Sequence, residues 1–116
     1  MSQVTIYHNP KCSKSRAALA LLQERGIEPN VIEYLKAPPS ADTLRAIVAM
    51  LGIAAEQLVR KGEQVYKDLY AGKSLSDTQW IDAMVANPIL IERPIVVRGE
   101  RAVLGRPPEN VERLLS

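Results

Sequence analysis

Two β-branched runs flank one amphipathic segment at the start of this chain, and that arrangement limits the fold more than any other feature. Val4-Thr5-Ile6-Tyr7 has strand character and stops at the turn-like His8-Asn9-Pro10. From about Ser13 to Arg25 a helix is predicted. Ala18, Leu21, Leu22 and Arg25 share one face of it, and Gly26 is its natural stop. Val31-Ile32-Glu33-Tyr34-Leu35 reads as a second strand, closed by Pro38-Pro39. Strand, helix and strand in that order form a right-handed crossover, so the two strands are predicted to be parallel.

The middle of the chain has helical period. Ser40 is placed to cap a helix in which Leu44, Ile47, Val48 and Leu51 form an apolar stripe before Gly52. Short helical patterns follow around residues 54–60 and 63–70. Ser76-Asp77-Thr78-Gln79 is a capping box for a helix that turns Trp80, Ile81, Met84 and Val85 inward, and Asn87-Pro88 ends it.

The last third changes to a period of two. Residues 95–98 and 101–104, joined by Gly99-Glu100, are predicted to form a β-hairpin. Arg106-Pro107-Pro108 breaks that pattern. Glu109 to Leu115 is then a closing helix with Val111, Leu114 and Leu115 inward. The order βαβ, helical block, ββ, α predicts an α/β fold, with helices packed on a mixed four-stranded sheet. One domain over residues 1–116 is expected, with the helical block inserted at about 40–87.

Composition excludes several function classes. A chain of 116 residues with 47% hydrophobic and 24% charged residues can bury a core as one domain. A formal net charge of +2 is too small to imply nucleic-acid binding. The longest apolar stretch, Ala46 to Ala55, is broken by Gly52 and too short to span a bilayer, and the N-terminus does not resemble a signal peptide. A single cysteine forms no internal disulfide and supplies no cysteine-rich metal site, so a reducing cytoplasm is expected and no metal or bound cofactor. A monomer is expected.

That cysteine lies within the sharpest local feature, His8-Asn9-Pro10-Lys11-Cys12-Ser13-Lys14-Ser15-Arg16. Cys12 falls between the end of the first strand and the start of the first helix. There, unpaired N–H groups and the helix dipole favour an anion. Lys11, Lys14 and Arg16 are cationic neighbours, and residues 1–23 contain no carboxylate. These influences favour thiolate over thiol. A lone cysteine is more often a small buried hydrophobe, but flanking by Lys11 and Ser13 argues against that here. His8 is equally consistent with a structural role and a catalytic one, including electrostatic tuning of Cys12.

Arg60, Arg93 and Arg106 carry a second hint. Arginines are usually solvated, yet Arg93-Pro94 directly precedes a strand whose start lies beside the first strand's carboxyl end. A cis bond fits there. An oxyanion held between Cys12, a helix N-terminus and guanidinium forks is geometrically reasonable. Two related motifs are absent. Ser15 stands where a Cys-x-x-Cys pair would need its second thiol, and Ala18 stands where a Cys-x5-Arg phosphatase loop would need arginine.

At these residues the sequence resembles the glutaredoxin-linked arsenate reductases, the ArsC family with its thioredoxin-like fold. The resemblance runs almost end to end. It is carried by residues 5–10, by Cys12 with Ser15-Arg16, by Glu33-Tyr34-Leu35, by Leu58-Val59-Arg60, by Asn87 through Val97, and by Gly105-Arg106-Pro107. It implies that Cys12 attacks arsenate and that Arg60, Arg93 and Arg106 bind the oxyanion. It implies that His8 helps hold Cys12 as thiolate, that Ser15 and Arg16 belong to the anion loop, and that Pro94 is a cis-proline. It further implies glutathione as co-substrate, attacking the Cys12 adduct, and glutaredoxin reducing the mixed disulfide to release arsenite.

One part of that scheme follows from the residues independently. A thiol adduct of arsenate needs a second thiol to resolve it, and this chain has none, so the resolving thiol comes from outside. Two other readings share the fold: a thiol-dependent reductase or transferase of another substrate, and an RNA-polymerase-binding regulator. Redox-sensing regulators of that kind usually carry Cys-x-x-Cys, which Ser15 removes.

Overall fold

In the computed structural model, which describes residues 3–115, β1 (Val4–His8) is an inner strand of a four-stranded sheet. β1 pairs in parallel with β2 (Asn30–Glu33), from Thr5 opposite Asn30 to His8 opposite Glu33. On its other side it runs antiparallel to β3 (Ile95–Arg98), with Tyr7 opposite Ile95. β3 continues through Gly99-Glu100 into β4 (Arg101–Leu104), giving the order β2-β1-β3-β4. Gly99 supplies the positive φ of 61° that this two-residue turn needs. The mixed sheet, the parallel crossover and the later hairpin are those expected, and the arrangement is thioredoxin-like.

Period two on β1 and period 3.6 on α1 (Ser13–Glu24) explain how the sheet unit packs. Val4 and Ile6 point to one face, where Ala18 and Leu22 meet them, and Val96, Val111 and Leu114 complete the core. Burying each of the larger aliphatic side chains contributes on the order of 2 kcal/mol. The same two stripes continue toward the loop end as His8 on β1 and Ser15 on α1, both buried. One strand-helix contact is therefore apolar along most of its length and polar at one end.

Two elements of this unit differ from expectation. β2 stops at Glu33, because β1 ends opposite it at His8 and offers no further partner. Tyr34 and Leu35 enter a turn in which Lys36 and Ala37 both donate to the Glu33 carbonyl at 2.9 Å. The closing helix is a 3-10 segment, Pro108–Leu114. Val111 and Leu114 are spaced by three, so the tighter helix puts both on the core, whereas Leu115 stays partly exposed. Arg98 and Arg101 donate to the carbonyls of Leu114 and Arg113, and Arg25 pairs with Glu112, which ties this segment down.

Pro38–Glu92 forms a second unit, separate from the one built by the first 37 residues and by those from Arg93 onward. In it α2 (Ala41–Leu51) starts at Ser40, whose Oγ accepts from the Thr43 N–H at 3.1 Å. It ends at Gly52, with φ of +69°. α3 (Gln64–Leu69) is short, and α4 (Asp77–Ala86) opens on the Ser76–Gln79 capping box. Trp80, Ile81 and Met84 are buried as expected, while Ala83 is buried and Val85 is only partly so. Tyr66 stacks on Trp80 at 6.1 Å, and Tyr70 meets the same ring at a tilt.

Candidate active site

Cys12 is the N-cap of α1, with extended backbone (φ −97°, ψ 124°). Its N–H donates to the Asn9 carbonyl and its own carbonyl accepts from Arg16 N–H, both at 3.0 Å. Asn9 Oδ1 takes the Lys11 N–H at 3.0 Å, which closes the preceding turn. The half-buried thiol therefore occupies the place where a capping serine or aspartate would accept from the first helical amides. It makes no capping bond, and the first turn carries no acidic residue. An anionic sulfur here meets three N–H groups without intrahelical partners and the positive end of a 12-residue helix.

His8 and Ser15 form the polar end of the β1–α1 contact. Nδ1 and Oγ are 2.6 Å apart, and the Asn9 N–H also donates to Ser15 Oγ at 3.0 Å. With that N–H on one lone pair, the hydroxyl proton is available to Nδ1 of a neutral imidazole. Burial is the main reason that the His8 pKa lies below its ordinary value. Arg16 pushes the same way, and Glu33 opposes them. His8 is accordingly neutral at pH 7. Arg16 reaches back over the loop and donates to the Pro10 carbonyl at 3.0 Å.

A second cluster lies at the same end of the sheet. Tyr7 and Leu104 are both opposite Ile95, so the end of β1, the start of β3 and the end of β4 are level. Arg93 lies two residues before that level and Arg106 two residues after it. The Arg93–Pro94 peptide is cis, and so is Arg106–Pro107, which the sequence reading did not include. Arg106 Nη1 lies 3.5 Å from the Arg93 carbonyl. Gly105 joins the two halves: its N–H donates to the Pro94 carbonyl at 2.9 Å. A Cβ there would stand 2.8 Å from Pro94 Cγ and 3.2 Å from Ala18 Cβ. No side chain fits at that approach, a constraint visible only once the strands are paired.

Arg60 belongs to the other unit. It forms ion pairs with Glu63 and Glu92, and its N–H donates to the Leu90 carbonyl next to the Val59–Ile91 bridge. Cys12, His8, Ser15 and Arg16 thus share one loop and helix start, and Arg93, Pro94 and Arg106 share the adjoining strand ends. Asn9, expected as a turn residue and as part of the block at residues 5–10, shapes the turn through both its carbonyl and its side chain. Its spacing before Lys11 is the signal that could have marked it. Among the described residues, no group of three or more His, Cys, Asp or Glu side chains is placed to hold a metal ion, and no helix is long and apolar enough to cross a membrane.

Comparison with known proteins adds lineage to this geometry. The model of the ArsC family matches residues 7–114. The chain is 54% identical over 111 residues to the protein YfgD of Escherichia coli K12, covering 94% of this chain and 93% of that one. It is 44% identical over 117 residues to the arsenate reductase of Neisseria meningitidis serogroup A, covering 99% and 100%. The solved structure of the arsenate reductase from Vibrio cholerae matches with a TM-score of 0.93 at 49% identity, over 97% of each chain.

Proposed function

The chain belongs to the ArsC family, and from that premise we propose that it reduces arsenate to arsenite through Cys12, with glutathione and glutaredoxin supplying the electrons. The observation that carries the proposal is the position of the only thiol: an uncapped, acid-free helix start at the same sheet end as Arg93 and Arg106. A doubly charged oxyanion is drawn there by the guanidinium forks and the free helical amides.

The Cys12 thiolate attacks arsenic and forms a sulfur–arsenic(V) bond, while one arsenate hydroxyl takes a proton from solvent and leaves as water. A glutathione thiol then attacks Cys12 Sγ. A sulfur–sulfur bond forms, the sulfur–arsenic bond breaks, and its electron pair stays on arsenic, which leaves as arsenic(III). Glutaredoxin takes the glutathione from the mixed disulfide and restores the Cys12 thiol. In this scheme Arg93 and Arg106 hold the oxyanion, and Arg16 and the α1 amides close the loop around it. Neutral His8 acts through Ser15, keeping the loop in shape, rather than as a charge beside the sulfur.

Arsenite release by the purified chain, supplied with arsenate, glutathione and glutaredoxin, tests the proposal. Arg93→Ala should lose about 2 kcal/mol of transition-state binding, roughly thirtyfold in kcat/KM. An inactive wild type would sink the arsenate reading, and unchanged kinetics in the variant would remove Arg93 from the site.

A further inference from the structure

Gly105 is buried and directly follows β4, and its φ lies outside the left-handed region, so backbone conformation does not explain a glycine there. The β3–β4 register does. Ile95 is opposite Leu104, and one step further along both strands Pro94 comes opposite Gly105. Their one bond, from the Gly105 N–H to the Pro94 carbonyl at 2.9 Å, is the last rung of that pairing, because Pro94 has no N–H to return. The next step brings Arg93 opposite Arg106, whose Nη1 lies 3.5 Å from the Arg93 carbonyl. The third partner is α1. Ser15, Ala18 and Leu22 are its buried residues, and Ala18 is the one that meets Gly105. A Cβ on Gly105 would stand 2.8 Å from Pro94 Cγ and 3.2 Å from Ala18 Cβ. Pro94 Cγ belongs to a closed ring and cannot swing aside, so an added carbon has to move backbone.

We propose that Gly105 is a positioning residue for the oxyanion. Its missing side chain lets α1 close onto the ends of β3 and β4, and that approach sets the separation between Cys12 and the Arg93–Arg106 pair. Ala18 lies about 9 Å along the helix from Cys12, so α1 transmits a displacement at Ala18 to the sulfur as a rigid rod. Pro94 and Gly105 are each joined directly to one of the two arginines, so a displacement there moves both. An oxyanion held between a sulfur and two guanidinium forks depends on that separation, because charge-assisted hydrogen bonds weaken steeply off their short optimum. Gly105 has no group that touches the substrate, and it acts only through these neighbours. The proposal rests on Arg93 and Arg106 holding the oxyanion at Cys12. It adds what fixes their distance from the sulfur.

The test reads oxyanion binding apart from turnover. Cys12 is alkylated with iodoacetamide, in the absence of other thiols, over a series of arsenate concentrations, and the protection gives an apparent Kd. Gly105→Ala should raise that Kd about tenfold, while alkylation without arsenate stays within about twofold of wild type because the start of α1 is intact. Adding Ala18→Gly opens the helix side of the contact and should restore most of the affinity, which independent changes would not do. An unchanged Kd in Gly105→Ala would overturn the proposal. So would an equal loss of protection and of basal alkylation, or a loss that Ala18→Gly leaves in place, since either would make the glycine merely structural. If Gly105→Ala does not fold, Ala18→Ser narrows the same approach from the helix side. Weaker protection in that variant supports the proposal, and unchanged protection overturns it. Arsenite release by the wild type is measured alongside. Protection without release would sink the arsenate reductase reading alone, with the positioning role still decided by the Kd values. No protection of the wild type would overturn both.

Discussion

The starts of α1 and α4 solve the same physical problem in opposite ways. Ser76 accepts from the Gln79 N–H at 3.2 Å, Gln79 returns a bond to the Ser76 N–H at 2.9 Å, and Asp77 places a carboxylate in the first turn. Two devices that stabilise a helix N-terminus, a capping box and a first-turn carboxylate, are present there. At α1 neither is: the cap is Cys12, its side chain makes no capping bond, and the first turn has no acid. The helical unit uses its N-terminal amides for stability, while α1 leaves its first amides unpartnered beside the Cys12 sulfur. The difference locates the chemistry more sharply than the cysteine alone does.

Substitutions can break this comparison, and the largest effect should come from Cys12→Ser. Arsenite release should fall on the order of a thousandfold or more, since no other sulfur can form the adduct. Serine is also the better cap, so the same variant should gain about 0.5–1 kcal/mol in denaturant unfolding. A destabilised and inactive variant would mean that Cys12 was structural. At α4, Ser76→Ala should do the reverse, losing about 1 kcal/mol of stability with arsenite release retained.

A smaller effect concerns pH. The His8 pKa lies below its unfolded value of about 6.5, chiefly through burial. Between those two values the unfolded chain binds more protons than the folded one. His8 therefore contributes stability that is fully present above about pH 6.5 and is lost as pH falls through the folded value. It is the only histidine in the chain. His8→Gln should flatten the pH dependence of unfolding in that window, read by urea denaturation at a series of pH values, and an unaltered slope would place the titration elsewhere.

Most of the fold was legible because local signals agreed with tertiary needs. The β1–α1–β2 crossover, the Gly99-Glu100 hairpin, the Ser40 and Gly52 ends of α2 and the Ser76 box were all readable from residue type and spacing. The misplaced end of β2 depended on where its neighbour stops, which no local pattern contains. The 3-10 form of the closing segment was not legible, because the three-residue spacing of Val111 and Leu114 fits either helix. Within the site, Cys12 at a strand-to-helix junction was evident from sequence. The His8–Ser15 bond was not, because it depends on two stripes from different elements meeting in register. Nor could the sequence show that Arg60 is engaged by Glu92, more than thirty residues away, in addition to Glu63 on the adjacent turn.

The most direct test omits glutaredoxin. The chain is incubated anaerobically with arsenate and reduced glutathione, and intact-mass and peptide analysis follow. One glutathione should be attached at Cys12 for each arsenite released, with the reaction stopping after that single turnover. No attachment, or the same attachment without arsenate, would contradict the claim that Cys12 carries arsenate to an external thiol.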